Sequence, residues 1–552
     1  MKLTGAQIII EALVEQGVDT VFGFPGGTVT NIYDELYKSS DRIRHITASH
    51  EQHATHAADG YARATGKAGV VIATSGPGAT NTVTGIATAF LDSSPVIVIT
   101  GNVATNLLGR DSFQEVDIAG VTIPITKHNY IVKDIEKLAD TIREAFWVAK
   151  SGRPGPVLVD VPKDIQLASA EYTRRKIEPV AASESCEGDI TQAAALIREA
   201  KRPYIYCGGG VVLSDSASDL ISFAERIDAP IGASIMGLSA VPFDHPRFLG
   251  MVGMHGSYAA TKALSECDLL VAVGVRFSDR ATGNKAEFAK KMKVVHIDID
   301  PAEIGKNIPV YTSLIGDVKC VLKKLAAEVP VIRHAGWHEE IAKFKAHVDI
   351  TCEHREGALD PQMILETAHE FMPEDGIVAT DVGQHQMWTA QYYRFSKLRT
   401  FITSGGLGTM GFGMGAAVGA CIGTGKRTLL ITGDGSFHMN LNEMSTAVSN
   451  DLPIVVIVMN NNALGMVKQW QELFFGERYS NTVLNRRTNY AKLAVAFGAM
   501  GMRAENEKEL RECLTKAFSV NGPVLIDCPI DGCEKVFPMI PPNGTIDDII
   551  LK

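Results

Sequence analysis

A carboxylate and an amide lie where they could together hold a divalent cation. Asp434 is central to the string Thr432-Gly433-Asp434-Gly435-Ser436, and Asn460-Asn461 closes the next apolar run of the chain. Carboxylate and amide oxygens suit Mg²⁺, with phosphate oxygens and water completing its octahedron. The glycines let backbone approach a phosphate closely, and the helix that follows points its N-terminus at the anion. The pattern predicts a magnesium–phosphate site at Asp434 and Asn461; a turn in which Asp434 only caps a helix is the alternative.

A dinucleotide site is a competing interpretation of the same region. The string Gly406-Leu407-Gly408-Thr409-Met410-Gly411 fits G-x-G-x-x-G and precedes Asp434 by about the distance at which an acidic residue would bind a ribose. Such an acidic residue needs no partner amide, so this interpretation leaves Asn461 unexplained. The magnesium–phosphate interpretation accounts for both residues and is preferred.

The predicted metal ligands follow apolar runs, and such runs recur along the chain. They are short, rich in β-branched residues and alternate with helical patterns, at 70–73, 96–99, 157–159, 269–275, 429–431 and 454–459. Parallel strands covered on both faces have this character, and crossover helices join them. The pattern predicts an α/β fold with doubly wound parallel sheets. Asp434 and Asn461 would then lie at the carboxyl ends of neighbouring strands, where open sheets bind ligands.

Two polar stretches, 166–187 and 331–360, interrupt this alternation. Dividing the chain there predicts three α/β domains and a C-terminal tail. Their predicted bounds are 1–165, 188–330 and 361–530 for the domains and 531–552 for the tail.

The outer two domains resemble each other in sequence. A shift of 358 positions (432 − 74) aligns Thr74 with Thr432 and Pro95 with Pro453. Each copy then has a strand, a glycine turn, a helix and a strand that opens with proline. We predict a duplication, although chance could supply some of the matches.

Composition excludes several classes of protein. The 552 residues carry a net charge of −10, and the densest basic cluster spans only 174–176, which argues against nucleic-acid binding and a polybasic membrane anchor. The segment 406–425 has no charge but contains eight glycines, so it predicts packed backbone and not a bilayer span. Nine cysteines without a C-x-x-C pair predict reduced thiols and a cytoplasmic protein.

Further strings point to one family. With the Gly-Asp-Gly turn and the Asn pair, the chain resembles the acetohydroxyacid synthase (acetolactate synthase) family of thiamine diphosphate enzymes over nearly its whole length. The strings are Phe24-Pro25-Gly26-Gly27, His50-Glu51-Gln52, Thr74-Ser75-Gly76-Pro77-Gly78-Ala79-Thr80-Asn81, Phe113-Gln114-Glu115, Gly253-Met254-His255-Gly256, Asp381-Val382-Gly383-Gln384-His385 and Gly465-Met466-Val467-Lys468-Gln469-Trp470-Gln471.

The resemblance implies pyrimidine- and diphosphate-binding domains on either side of a central FAD-type domain. It implies that Mg²⁺ is held by Asp434, Asn461 and Ala463. Met410 resembles a bulky residue that wedges between the two rings of the cofactor, with an ordinary core methionine as the alternative. The implied contacts of thiamine diphosphate in the last domain are Gly383, Gln384, His385, Gly408, Met410, Gly433, Gly435, Ser436 and Met466.

The resemblance gives Glu51 of the first domain the catalytic contact with the aminopyrimidine ring of the cofactor. A carboxyl group that faces a ring nitrogen in a dry pocket can share a proton with it, because burial raises the carboxyl pKa toward the working range. A surface glutamate that begins a helix is the alternative. Zinc is disfavoured, because H-E-x-x-H would need histidine where the chain has Ala54.

The resemblance also implies an FAD site in the central domain. Glycine turns beside a pyrophosphate and arginines near the flavin are physically reasonable there. Because FAD is not a net redox partner in this family, its presence does not predict an oxidoreductase; a fold kept without flavin is the alternative. The implied contacts are Arg153, Gly208, Gly209, His255, Gly256, Arg276, Asp279, Arg280, Asp298 and Asp317.

Other residues resemble the family's substrate site. Trp470 resembles a tryptophan that favours 2-ketobutyrate over a second pyruvate, a preference that one methylene can supply at ~1–3 kcal/mol. Val467 and Phe113 are assigned to specificity with it. Gly27, Gln114 and Lys127 resemble catalytic residues that line the substrate channel from the neighbouring chain.

The implied function is the condensation of pyruvate with a second 2-keto acid, with loss of CO₂, in branched-chain amino acid biosynthesis. The two halves of the cofactor site would come from different subunits, which predicts a homodimer or homotetramer, and a small regulatory subunit is left open. The tail is hypothesised to close over the site when ligand binds. The alternatives are a flavin-dependent pyruvate oxidase, a non-biosynthetic acetolactate synthase and, more distantly, a non-catalytic cofactor-binding regulator.

Overall fold

The computed structural model describes residues 1–177, 186–347 and 357–551. These residues form three α/β units, each built around a sheet of mainly parallel strands, which confirms the predicted fold class. Both polar stretches that were predicted to separate domains lie partly outside the described residues, and the domain boundaries stay predictions.

The first unit contains eight strands and eight α-helices. Its strands are β1 Lys2–Thr4, β2 Thr20–Phe24, β3 Arg44–Thr47, β4 Gly69–Ala73, β5 Val96–Asn102, β6 His128–Ile131, β7 Val157–Pro162 and β8 Ser169–Glu171. Its helices are α1 Gly5–Glu15, α2 Thr30–Lys38, α3 Glu51–Thr65, α4 Pro77–Asn81, α5 Val83–Leu91, α6 Ile118–Thr122, α7 Leu138–Lys150 and α8 Lys163–Leu167. Six strands form a parallel sheet in the order β3-β2-β4-β5-β7-β6, and β1 pairs antiparallel with β8.

The central unit contains a seven-stranded sheet in the order β12-β11-β10-β13-β14-β15-β9, in which only β9 runs antiparallel to its neighbour. Its strands are β9 Glu187–Gly188, β10 Pro203–Cys207, β11 Ile231–Ala233, β12 Phe248–Met251, β13 Leu269–Val273, β14 Lys293–Asp298 and β15 Thr312–Ile315. Its helices are α9 Ile190–Glu199, α10 Gly209–Leu213, α11 Ala217–Ile227, α12 Tyr258–Glu266, α13 Asp279–Thr282, α14 Lys285–Phe288, α15 Val318–Glu328 and α16 Ala335–His347.

Helix α16 lies inside the second polar stretch, where the sequence predicts a connection between domains. Its Trp337 and Ile341 are buried in the core cluster of the central unit. The Trp337 ring nitrogen also donates to the carbonyl of Pro203 at the start of β10. Phe344 of the same helix packs against this cluster while partly exposed. The central unit therefore extends past residue 330, because a few apolar side chains in a polar sequence dock this helix.

The third unit repeats the architecture of the first. Its strands are β16 Ile377–Thr380, β17 Phe401–Ile402, β18 Thr428–Gly433, β19 Ile454–Asn460, β20 Met500–Arg503 and β21 Val524–Pro529. Its helices are α17 Pro361–Phe371, α18 Gln384–Tyr392, α19 Gly413–Thr424, α20 Asp434–Phe437, α21 Met444–Ser449, α22 Gly465–Phe474, α23 Tyr490–Phe497 and α24 Glu507–Ser519. The sheet order β17-β16-β18-β19-β21-β20 matches that of the first unit strand for strand, which supports the predicted duplication.

The two repeated units share one core, in which α3 packs against α19. A Cβ atom added to Gly60 of α3 would collide with the main chain of Ala416 in α19. The uncharged segment 406–425 is thus packed backbone, as the sequence predicts. None of the helices in the described ranges is both long enough and apolar enough to cross a membrane.

The C-terminal tail packs between the central and third units. The amide of Ile540 donates to the carbonyl of Met254, and Gln391 of α18 donates to the carbonyl of Phe537. Met539 is fully buried. Its own apolar and main-chain contacts thus hold the tail against both units, and its closure over the site when ligand binds stays a hypothesis.

Candidate active site

Asp434 and Asn461 stand at the carboxyl edge of the third sheet. Asp434 begins α20 directly after β18, and Asn461 follows the last residue of β19, the strand that pairs with β18. Asp434 is 1% exposed, and neither of its carboxylate oxygens has a hydrogen-bond partner among the described residues. Burial raises the pKa of Asp434 to about 6, and nearby main-chain amides offset only part of this effect. A buried carboxylate without partners is costly, and a bound cation would compensate it.

The Asn461 side chain is held in one orientation. Its amide nitrogen donates to Oε1 of Gln384 at 3.1 Å, and its Oδ1 accepts from the amide of Ala463 at 3.1 Å. Gln384 is fixed in turn, because it donates to Oε1 of Gln469 at 3.0 Å and to the carbonyl of Glu534 at 2.8 Å. An amide oxygen has two lone pairs, so Oδ1 keeps one for a cation beside Asp434.

A small cavity of about 60 Å³ opens between these residues. It is lined by most of the residues to which the resemblance gives the diphosphate and the metal, namely Gly383, Gln384, His385, Met410, Gly435, Ser436, Asn461, Ala463 and Met466. Gly433 does not line it; a Cβ atom there would collide with the His385 ring. The glycine is needed for packing against His385, and its assigned contact with the cofactor stays a prediction.

Met410 lies on a loop that Asp381 fixes. The buried Asp381 carboxylate accepts from the amides of Gly411 at 2.8 Å and Gly413 at 3.1 Å, and from the Thr432 hydroxyl at 3.0 Å. Asp381 therefore ties the Met410 loop to the strand that leads into the Gly-Asp-Gly turn. The sequence analysis did not select Asp381, although it begins one of the strings that carry the family resemblance.

Glu51 lies in the first unit and lines neither cavity of this chain. It is the first residue of α3, whose N-cap is His50. Glu51 is 8% exposed, and its Oε2 accepts from the Asn81 amide nitrogen at 2.9 Å. Within one chain, the Glu51 carboxyl group therefore does not face the small cavity beside Asn461.

A large cavity of about 2340 Å³ lies between the three units. It shares Gly383, Met410, Met466 and Val467 with the small cavity, so the two cavities adjoin. Eight of the ten residues that the resemblance assigns to FAD line it: Arg153, Gly209, His255, Arg276, Asp279, Arg280, Asp298 and Asp317. Its volume exceeds the ~300–1,000 Å³ usual for one ligand, so it has room for a dinucleotide-sized molecule.

Gly208 and Gly256 do not line the large cavity of this chain, and their assigned contact with FAD stays a prediction. A Cβ atom at Gly208 would collide with the carbonyl of Gly274, and one at Gly256 would collide with the carbonyl of Met251. Both glycines are required because main-chain segments cross closely behind the cavity wall.

The cavity wall carries opposite charges. Arg276 faces the cavity, and burial lowers the pKa of its guanidinium, which indicates an incompletely compensated cation. Burial raises the pKa of Asp298 to about 6. Arg153 is already paired, at 2.8 Å from Glu303 and 3.3 Å from Asp300. Arg276 is therefore better suited than Arg153 to bind an anionic ligand group.

Asp92 lines the same cavity and was missed by the sequence analysis. It follows α5 and is paired with the buried Arg63 at 3.0 Å. Its carboxylate also accepts from the amides of Gly405 and Gly406, which precede Met410 in the third unit. From the sequence alone, Asp92 before Ser-Ser-Pro is expected only to end a helix. Nothing in the neighbouring residues predicts its contact with the third unit.

The residues assigned to substrate fall into two groups. Trp470 and Val467 line the large cavity, and the Arg280 guanidinium lies 5.7 Å from the centroid of the Trp470 ring. Phe113 is 87% exposed on the first unit and lines neither cavity. Gly27 is also exposed, and Gln114 has a φ of +58°.

Lys127, which the resemblance assigns to the substrate channel, lies beside the end of α7 in this chain, and the channel role stays a prediction. Its ammonium group donates to the carbonyls of Val148 and, at 2.7 Å, of Ser151, at the end of α7. Burial lowers the pKa of Lys127 to about 8. The side chain caps a helix C-terminus in this chain, a role that its position between two strands did not suggest.

Known protein families match this chain in three segments, one in each of the three units. The family models that match are the N-terminal TPP binding domain, the central domain and the C-terminal TPP binding domain of thiamine pyrophosphate enzymes, at residues 3–121, 190–325 and 381–528. Similar curated proteins include an acetolactate synthase large subunit of Haemophilus influenzae, 42% identical over all of this chain and 98% of its own length. The acetolactate synthase isozyme 2 large subunit of Escherichia coli is 44% identical over the whole of both chains. A probable acetolactate synthase large subunit of Methanocaldococcus jannaschii is 44% identical over 99% of this chain and 95% of its own.

Proposed function

The chain belongs to the acetolactate synthase family of thiamine pyrophosphate enzymes, and we propose on that premise that it condenses pyruvate with a second 2-keto acid. With two pyruvates, one proton is taken up, CO₂ leaves and 2-acetolactate forms; with 2-ketobutyrate as acceptor the product is 2-aceto-2-hydroxybutyrate. Both products lead to branched-chain amino acids. The observation that carries the proposal is the unpartnered, buried Asp434 carboxylate at the start of α20, at the same sheet edge as Asn461, which lines the small cavity.

Asp434 and Asn461 would hold Mg²⁺, with the main-chain oxygen of Ala463 as a third ligand. The fit rests on the two orphan oxygens of Asp434 and on the fixed Oδ1 of Asn461. The N-terminus of α20 and the glycines around Asp434 would bind the diphosphate through main-chain amides. Bound thiamine diphosphate supplies a carbon nucleophile that attacks a keto carbonyl and accepts the electron pair left when CO₂ departs.

Glu51 would hold a proton at Oε1 or Oε2 against a ring nitrogen of the cofactor. Its first-turn position on α3 and its low exposure support this role, since a desolvated carboxyl group can share a proton with a base. Asn81 donates to Oε2, and a Cβ atom added to Gly78 would lie 3.2 Å from Oε1.

A second copy of the chain would complete the site. Glu51, Gly27 and Phe113 lie on the first unit and line neither cavity of their own chain. They would therefore contribute to the active site of a second copy of the chain. The exposed Phe113 ring is suited to burial against that copy. The smallest active assembly is then a homodimer, and a homotetramer contains two of them.

The large cavity would bind FAD. Gly209 and Gly274 line it at the ends of neighbouring strands, where backbone can approach a pyrophosphate closely. Arg276 would bind an anionic part of the ligand, because its buried guanidinium faces the cavity. FAD supplies no net oxidation or reduction to the proposed reaction.

A smaller subunit is the remaining proposed partner. The similar proteins of Haemophilus influenzae and Escherichia coli are named large subunits. By analogy the chain would work beside a small regulatory subunit.

The test is product identification with the purified chain, thiamine diphosphate, Mg²⁺ and pyruvate, with and without 2-ketobutyrate. We expect 2-acetolactate with pyruvate alone and 2-aceto-2-hydroxybutyrate in addition when both acids are present. Acetaldehyde alone, or oxygen consumption coupled to pyruvate, would overturn the proposal and favour a decarboxylase or a pyruvate oxidase.

Matched variants separate catalysis from binding. Glu51→Gln should retain cofactor and lose turnover by about 100-fold or more, the usual contribution of a general acid–base group. Asp434→Ala should lose the Mg²⁺-dependent binding of cofactor itself. Full turnover in Glu51→Gln would contradict the catalytic assignment.

A further inference from the structure

Glu443 is a buried carboxylate that joins the first and third units. It lies at the end of a short helical turn, Leu441–Glu443, and is 1% exposed. Its Oε1 accepts from the amide of Ser49 at 3.0 Å and lies 3.2 Å from Nδ1 of His53. Its Oε2 accepts from the Thr446 hydroxyl at 2.6 Å and from the Ser49 amide at 3.2 Å. Two of these three partners belong to the other unit.

These partners surround the residue on which the proposed chemistry depends. Ser49 precedes the N-cap of α3, Glu51 is the first residue of the helix, and His53 lies in the same turn. The Ser49 hydroxyl adds contacts to the third unit, at 3.1 Å from the carbonyl of Asn442 and 2.8 Å from the Ser445 hydroxyl. The first turn of α3 is therefore fixed from the third unit on both sides of Glu51.

Glu443 is also connected, through hydrogen bonds within the third unit, to the loop that carries Met410. The amide of Glu443 donates to the carbonyl of Asn440, and the Asn440 side chain donates to Oδ2 of Asp381 at 3.0 Å. Asp381 also holds Gly411, beside Met410. A continuous set of buried hydrogen bonds thus runs from the start of α3 to the Met410 loop.

We propose that Glu443 is a positioning residue for Glu51. The inference rests on the proposed function, in which Glu51 must meet the cofactor within hydrogen-bond distance. Glu443 sets where α3 begins and so sets the position of the Glu51 carboxyl group. A carboxylate suits this task because hydrogen bonds to a charged acceptor are stronger than those to a neutral one, and because a negative charge near a helix N-terminus is stabilising.

The variants are Glu443→Ala, Glu443→Gln and, as a matched control, Glu15→Ala. Like Glu443, Glu15 is a buried glutamate, but it lies in the first unit. Its carboxylate accepts from Arg143, Tyr172 and the amide of Arg175. Both alanine variants lose a similar set of bonds, so both should melt at lower temperature. Only Glu443→Ala should lower kcat, by about 10- to 100-fold, since misplacement by about 1 Å can cost 100-fold. Glu443→Gln keeps one acceptor oxygen for Ser49 and should lose less.

The same variants can be compared by a measurement that does not depend on enzyme activity. Amide hydrogen exchange of the segment around Ser49 to Glu51, in the protein without cofactor, should be faster in Glu443→Ala and unchanged in Glu15→Ala. The affinity for thiamine diphosphate with Mg²⁺, followed by protein fluorescence, should change little because the diphosphate contacts are intact. His53→Leu removes one partner without altering Glu443 and should reproduce a part of both effects.

The double variant Glu51→Gln/Glu443→Ala decides the proposal. If Glu443 acts through Glu51, the second substitution should lower kcat no further than Glu51→Gln alone. An equal loss of kcat in both backgrounds, or unchanged exchange at Ser49, would overturn the positioning role. Full activity of Glu51→Gln alone would instead refute the proposed function, so the two failures are distinguishable.

Discussion

Gly419 lies so close to Ala57 that a Cβ atom on the glycine would overlap the Ala57 carbonyl oxygen. This contact sits where α19 crosses α3, the pair of helices that follow equivalent strands in the first and third units. The approach fixes the distance between the two repeated sheets. It also fixes α3, which begins with Glu51, relative to the loop that carries Met410.

Gly419→Ala should therefore lower the melting temperature clearly. The added methyl group must push two helices apart within a shared core, and overpacking of this kind typically costs about 1–3 kcal/mol. The matched control is Gly336→Ala in α16, where a Cβ atom meets nothing within 4 Å. That control should be neutral or slightly stabilising. Equal melting temperatures for Gly419→Ala and the parent would contradict the packing argument.

Much of the fold follows from the sequence because parallel strands covered on both faces leave continuous apolar runs. The runs at 429–431 and 454–459 correspond to β18 and β19, and the site between them was predicted from those runs and two polar residues. Helix α16 could not be predicted in the same way, because it docks through few side chains, with only Trp337 and Ile341 fully in the core and Phe344 partly buried beside them. A polar stretch with two buried side chains looks like a linker until its neighbours are known.

Trp470 should control the choice of acceptor. Its ring lines the large cavity and is held between the Arg280 guanidinium and Phe474, whose ring centroid lies 5.6 Å away. Trp470→Leu should lower the preference for 2-ketobutyrate over pyruvate by about 10-fold, within the range that one methylene supplies. Competition between the two acids, with both products measured, tests this. Trp147→Leu changes a half-exposed tryptophan of the same cavity and should leave the ratio unchanged.

Arg276 should retain the flavin. Burial lowers the pKa of its guanidinium, so the side chain gains from an anionic partner in the cavity. Arg276→Gln should purify with at least severalfold less flavin per chain, measured by visible absorbance after denaturation. Arg399 is a suitable control, because it lines the same cavity but already donates to the carbonyls of Arg63 and Leu213. If Arg276→Gln and Arg399→Gln retained flavin equally, the assignment of Arg276 would be wrong.

The candidate site could be predicted from sequence where a distinctive pattern marks it, as with Asp434 between two glycines at the end of an apolar run. It could not be predicted where an ordinary residue acquires its role from a distant contact. Lys127 caps the end of α7, and Asp92 binds the amides of Gly405 and Gly406. Both contacts join segments that are remote in sequence, and the type of residue alone is equally compatible with a surface position.

Asp160 should make stability depend on pH. It is fully buried in β7 and accepts from the Thr100 hydroxyl of β5, and burial raises its pKa from the ordinary 3.8 to about 7. Between about pH 4 and 7 the unfolded chain loses this proton while the folded chain keeps it, so the contribution of Asp160 to stability falls as pH rises through that window. The full loss, on the order of 4 kcal/mol, is reached above the folded pKa.

Asp160→Asn removes this titration and keeps the shape of the side chain. The variant should therefore unfold at a higher urea concentration than the parent near pH 8, and the advantage should shrink steadily toward pH 4. Urea midpoints of both proteins at several pH values measure this difference directly. An advantage that grew on acidification would have the wrong sign. A difference independent of pH would mean that the pKa of Asp160 is the same in the folded and unfolded chains, so that the hydrogen bonds from Thr100 and Asn102 offset the effect of burial.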